Sequence, residues 1–152
     1  MRNIFVVIIV LSLSSCYQMT EMIMEEIFIE YPIIERPLNE AWQETAKFIY
    51  VKEPKGQNEW KSPIELKKDG WGDCEDFSSY LIYQLGPKSE LVGIIRAGTE
   101  DSRDNIHAIV YFEGKYLEPQ KYNKYYIKNN FELVWTMSYD AVMKRSTAMY
   151  TK

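Results

Sequence analysis

Two side chains in this chain could do covalent chemistry together, and both are scarce. The 152 residues hold two cysteines and a single histidine. Cys74 opens a stretch in which Cys74, Phe77, Ser78, Leu81, Ile82 and Leu85 fall on one helical stripe. A thiol at a helix start meets unpaired N–H groups and the positive end of the dipole. These favour the thiolate and can hold an oxyanion on a substrate. Gly70 and Gly72, just upstream, would let the backbone approach that substrate closely. His107 lies at the start of the apolar run from Ile106 to Phe112, which has strand length and strand composition. A cysteine at a helix start and a histidine on a later strand is the placement of a thiolate–imidazole pair, in which the ring takes the thiol proton. The plainer alternatives are a small apolar residue at the first core position of a helix and a satisfied histidine at a strand edge.

An imidazole base needs a third group to orient it. If Glu113 and Gly114 form a two-residue turn, Phe112 pairs with Lys115 and His107 falls opposite Gln120. Glu118 is then diagonal to His107 on the same face, within reach of a long side chain. Both are candidates; the carboxylate would also stabilise imidazolium. Around the thiol, Asp73, Glu75 and Asp76 form an acidic cluster that opposes the helix dipole and raises the thiol pKa. Asp73 fits a helix cap and Asp76 its capping-box partner. The sequence has no Cys/His cluster for zinc.

These residues need elements to hold them. A helix is expected from Asn39 to Glu53, capped by Asn39 and closed by Pro54, with Leu38, Trp42, Ala46 and Ile49 at helical spacing. Lys55 to Gly72 reads mostly as loop, with a helical turn at Pro63 to Lys67. The Cys74 helix should run to Leu85 and stop at Gly86-Pro87. Strands follow at Leu91 to Ala97, Ile106 to Phe112, Lys115 to Glu118 and Phe131 to Met137, then a helix from Ser138 to Arg145. Helices followed by antiparallel strands give an α+β order.

Composition sets the outer limits. The length suits one domain with a hydrophobic core. The chain is 46% hydrophobic, 26% charged and carries a net charge of −4, with Lys and Arg scattered, which argues against a nucleic-acid partner. The first sixteen residues differ from the rest. Arg2 precedes an apolar run from Ile4 to Leu11 that is too short to span a bilayer and fits a secretory signal. Leu13-Ser14-Ser15-Cys16 resembles the bacterial lipobox, so residues 1–16 are expected to be a lipoprotein signal and Cys16 the lipidated residue. Residues 17–37 would be tether and lead-in, and 38–152 the domain. A lipidated Cys16 leaves Cys74 without a disulfide partner, and an exported protein with one idle thiol is unusual.

Trp60, Pro63, Glu65 and Leu66, followed by Gly72-Asp73-Cys74-Glu75-Asp76-Phe77, resemble the nucleophile region of bacterial transglutaminase-like cysteine peptidases of the papain-like clan. His107-Ala108 with the apolar strand after it resembles their histidine strand. Leu117-Glu118-Pro119 resembles the segment that supplies their third residue, with Glu where Asp is usual. The resemblance covers about residues 40–137. It implies a papain-like or transglutaminase-like core with the Cys74 helix on an antiparallel sheet, and an envelope cysteine hydrolase working through a thioester. Cys74 would be nucleophile, His107 base and Glu118 the orienting acid. In some periplasmic members acids flanking the cysteine bind calcium, so the resemblance offers calcium on the hard oxygens of Asp73 and Glu75 as the alternative to plain capping. The expected partners are a peptide or protein substrate and, through the anchor, a membrane; the protein is expected to be a monomer. The rivals are a papain-like peptidoglycan endopeptidase, disfavoured by Glu75-Asp76 where that family has Ser-Gly, and a non-catalytic binding module of the same fold.

Overall fold

A computed structural model describes residues 31–54, 60–96 and 106–147. Cys16 and the expected signal segment lie outside these residues. Among the described residues no helix is long and apolar enough to cross a membrane.

The fold is built around one helix. The chain runs α1 (Leu38–Thr45), β1 (Ile49–Tyr50), α2 (Pro63–Asp69), β2 (Trp71–Gly72) and α3 (Cys74–Leu85). It continues with β3 (Ser89–Arg96), β4 (His107–Phe112), β5 (Lys115–Leu117), β6 (Tyr125–Tyr126), β7 (Phe131–Ser138) and α4 (Tyr139–Thr147). α3 begins and ends where the sequence indicates, between the Asp73 cap and Gly86, whose N–H returns to Ile82 O. It is buried well beyond its apolar stripe, because Asp76, Ser79, Tyr80 and Gln84 are buried too. α1, α2 and α4 pack around it and the sheet closes the remaining side. Most of its buried polar groups find protein partners, with Ser79 Oγ the exception. Tyr80 donates to Glu44 Oε1 at 2.6 Å, and Gln84 Oε1 accepts from Arg36 at 2.8 Å.

Five strands form an antiparallel sheet in the order β6-β5-β4-β3-β7. Ala108, Val110 and Phe112 of β4 face α3 and join its core with Leu81, Ile82, Leu91 and Leu117. Ile109 and Tyr111 lie on the outer face with Val92, Ile94 and Tyr116. β3 and β7 slip register at Gly93, where a Cβ would meet the Trp135 ring at 2.3 Å, so only glycine fits under that indole.

Some expected boundaries are corrected. The first helix stops at Thr45 instead of Glu53, and Asn39 does not cap it; Pro37 is the cap residue, with no side-chain bond. Ile49, Tyr50 and Val51 favour extended backbone. There the Ile49 and Val51 N–H groups donate to Gly70 O and Gly72 O at 2.9 and 2.8 Å, making a parallel pair with β2. The turn expected at Pro63 is a full helix to Asp69, with a Ser62/Glu65 capping box, Pro63 at its first turn and Gly70 closing it at φ 76°. Residues 31–37, the expected lead-in, lie against α3. Tyr31 meets Tyr83 edge-on at 5.5 Å, and the Arg36 N–H donates to Gln84 O at 2.9 Å.

Candidate active site

The nucleophile candidate is held by its cap. Asp73 accepts from the Glu75 and Asp76 N–H groups at 3.1 and 3.4 Å, and Asp76 Oδ2 accepts from the Asp73 N–H at 3.1 Å. The expected capping box is therefore complete, and it fixes the backbone that presents Cys74. Gly72 leaves room for this cap. A Cβ there would meet Asp76 Oδ2 at 2.5 Å and Leu66 at 2.9 Å. Gly70 is the left-handed end of α2. Both glycines thus have structural roles of their own, Gly70 at a helix end and Gly72 beneath the cap.

Cys74 is a buried free thiol, 8% exposed. Sγ donates to Glu75 Oε2 at 2.8 Å and accepts from the Ala108 N–H, which seats the thiol against the first residues of β4. Burial drives its pKa strongly upward and Glu75 adds to this; the Ala108 N–H opposes them. In the contest expected between helix dipole and acidic cluster, burial and the carboxylates win. The resting group is a thiol. Asp73 itself is pushed up to about 8 by burial, then by Glu75 and Asp76, and Asp76 to about 6 by burial.

On the sheet the arrangement is the reverse. His107 Nε2 lies 2.9 Å from Glu118 Oε2, and both residues are buried. β5 ends at Leu117, opposite Val110, so Glu118 continues the ladder diagonal to His107 as the turn geometry indicates. Burial alone would raise the Glu118 carboxyl. The bonds from His107, Tyr126 and the Gln120 N–H outweigh it and bring the carboxyl from 4.5 down to about 2. Gln120 contributes that N–H at 3.3 Å, while its side-chain nitrogen is buried without a hydrogen-bond partner. Among the described contacts His107 touches Glu118 and not Gln120. With Nε2 used on Glu118, Nδ1 is the ring nitrogen left for a thiol. No direct hydrogen bond joins Cys74 to His107; the two meet through Ala108, adjacent to the histidine and bonded to the sulfur.

Three residues escape a sequence reading. The Tyr126 hydroxyl donates to Glu118 Oε2 at 2.6 Å. The Trp42 indole N–H donates to Glu118 O at 2.7 Å, so α1 pins the backbone of the third residue. Tyr50 sits opposite Gly72 in the β1–β2 pair. Burial raises its hydroxyl to about 12, with Cys74 and Asp73 adding to that. Trp42 carries an apolar signal only, and Tyr126 is one of several tyrosines in a short stretch; neither pattern encodes the contact.

Asp73, Cys74 and Glu75 place one ligand atom each within 4.8 Å of one another. The crowded carboxylates fit a hard cation and the sulfur does not.

No protein-family model and no curated protein matches the sequence. Among solved structures, Legionella pneumophila LapG superposes with a TM-score of 0.54 at 19% identity, over 74% of this chain and 81% of that chain. The EGTA-treated form of LapG gives 0.54 at 20% identity over the same shares. The likeness carries the architecture alone: this chain has the expected α+β, papain-like and transglutaminase-like fold, with the Cys74 helix packed on an antiparallel sheet.

Proposed function

We propose that this protein is a cysteine peptidase of the transglutaminase-like kind, with Cys74 as nucleophile, His107 as base and Glu118 as the acid that orients the ring. The observation that carries this reading is the His107–Glu118–Tyr126 chain, with its histidine and carboxylate buried, beside the thiol at the start of α3. Glu118 fixes Nε2 and leaves Nδ1 to take the Cys74 proton. The thiolate sulfur then attacks an amide carbonyl. N–H groups in the first turn of α3 are the nearest fixed donors for the resulting oxyanion. The imidazolium, steadied by Glu118, returns the proton to the leaving amine, and the C–N bond breaks to leave a thioester. Water, deprotonated by His107, hydrolyses it; an amine acceptor at the same stage would give acyl transfer instead.

The raised thiol pKa needs relief for this to run. A calcium ion on the carboxylates of Asp73 and Glu75 would supply that by cancelling negative charge beside the sulfur. The EGTA treatment named for one LapG structure gives this suggestion outside support. Chelation should then suppress activity and added calcium restore it. We further propose that Cys16 carries a lipid anchor and that the substrate is a peptide bond at the cell envelope. Cys16→Ala should release the protein from the membrane fraction.

The protonated thiol bonded to Glu75 favours a second reading, a binding module that keeps the fold without turnover. One experiment separates them. Hydrolysis of envelope protein should be abolished in Cys74→Ala and in His107→Ala, with the double variant barely worse than either. A single variant that keeps most of its activity would refute the assignment; no hydrolysis by the wild-type protein, with no labelling of it by a thiol-reactive probe, would leave the binding module.

A further inference from the structure

The cap that presents Cys74 also uses up most of the donors around it. Four N–H groups open α3, from Cys74 to Phe77. Those of Glu75 and Asp76 donate to Asp73 Oδ1 at 3.1 and 3.4 Å, and that of Phe77 donates to Asp73 O at 3.1 Å. The Ala108 N–H is taken by the sulfur itself. Among the described contacts the Cys74 N–H alone of the four has no acceptor. Attack on a carbonyl puts a full negative charge on one oxygen, and a single N–H is thin support for it.

Tyr50 is placed to supply the second donor. It stands on β1 opposite Gly72, two residues before the thiol. Backbone bonds on both sides of it, from the Ile49 N–H to Gly70 O and from the Val51 N–H to Gly72 O, fix that position. Its ring meets the Phe77 ring edge-on at 6.4 Å, and Phe77 lies one turn along α3 from Cys74 on the same stripe. Tyr50 is still 45% exposed, so it faces the side from which a substrate arrives. Its hydroxyl feels the charges of Cys74, Asp73 and Glu75 on the helix half and of Arg96 on the sheet half. It donates to no acceptor among the described contacts. Packing on Phe77 would be served as well by phenylalanine, so packing leaves the hydroxyl unexplained. We propose that Tyr50 is a catalytic residue whose hydroxyl joins the Cys74 N–H in holding the oxyanion formed when the sulfur attacks a carbonyl. This rests on the peptidase reading and adds a donor to it. As the S–C bond forms, the carbonyl π pair moves onto oxygen, and it returns when the leaving amine departs. Tyr50 donates a hydrogen bond throughout and gives up no proton.

The test sets two reactions of the same sulfur against each other. Acylation by p-nitrophenyl acetate passes through an oxyanion; alkylation by iodoacetamide displaces iodide at a tetrahedral carbon and does not. On the full chain, with Cys74→Ala as the blank, Tyr50→Phe should be acylated about a hundredfold more slowly than wild type, while its alkylation stays within about twofold. Phe keeps the ring against Phe77, so the thermal melt should not move. If it does move, the ratio of the two rates still decides, because a misplaced sulfur slows both. Acylation of Tyr50→Phe at the wild-type rate would overturn the proposal and leave the peptidase reading standing. Equal slowing of both reactions would overturn it too, since that assigns Tyr50 to the thiol and not to the oxyanion. A wild-type protein that is alkylated but never acylated above the blank removes the peptidase reading, and Tyr50's role with it.

Discussion

Glu118 and Asp73 are both acidic residues beside the candidate reacting pair, and the fold drives their pKa values in opposite directions. Glu118 is buried to 2% exposure yet falls to about 2, because a ring nitrogen, a tyrosine hydroxyl and a backbone N–H all point at it. Asp73 caps a helix yet rises to about 8, because burial opposes its charge and its neighbours Glu75 and Asp76 carry the same charge. Burial opposes ionisation in both places; the partners decide the outcome. In the sheet half of the site the carboxylate is satisfied by donors. The helix half is a strained concentration of charge, and strain of this kind is where a bound cation or a pH change acts.

The sheet half should break hardest. Glu118→Gln keeps the shape but removes the charge that steadies the ring, so activity should fall about a hundredfold or more. Stability at pH 7 should drop by about 3 kcal/mol, read by urea denaturation. The same residue predicts acid behaviour. Its folded pKa is depressed from 4.5 to about 2, so its stabilising contribution is present above pH 4.5 and is lost as pH falls from there toward 2. An acid titration of wild type should show that loss, and Glu118→Gln should lack it. A variant with an undiminished acid transition would remove Glu118 from this role.

The helix half should respond the other way. Asp73→Asn preserves the cap, since Asn caps about as well as Asp, and removes one charge from beside the sulfur. In metal-free buffer at a pH well above 8, where Asp73 is ionised in wild type, iodoacetamide should label Cys74 of the variant several-fold faster than wild type. Calcium should accelerate labelling in wild type and do little in the variant. The smallest effect is on stability. Asp73 has a raised folded pKa, so ionising it weakens the fold as pH climbs from 3.8 through about 8. Asp73→Asn should therefore be more stable than wild type above pH 8, by about 1 kcal/mol after solvent screening. Equal melting temperatures at pH 6 and pH 9 in both proteins would dissolve the contrast between the two halves.

Local rules settle α3 from Cys74 to Leu85, the Asp73–Asp76 capping box and the Glu113-Gly114 turn, because each depends on residues within a few positions of one another. The same rules place Glu118 diagonal to His107, since strand register propagates from the turn. The Ser62-Pro63-Glu65 signal for α2 and its Gly70 stop are equally local; the loop-like composition from Lys55 onward masks them. The helix expected over Asn39 to Glu53 shows the opposite case. Its apolar spacing continues past Thr45, and only β2, arriving from about twenty residues away, makes extended backbone at Ile49 and Tyr50 the better choice. Likewise no spacing rule joins Trp42 to the Glu118 carbonyl across 76 positions, or seats the Cys74 sulfur on the Ala108 N–H. The sequence by itself determined which groups are available and the short-range frame that presents each one. Tertiary packing decided which of them meet, and so whether a carboxylate sits among donors or among other carboxylates. Charge interactions fall off over a few ångströms, and only the folded chain sets distances on that scale.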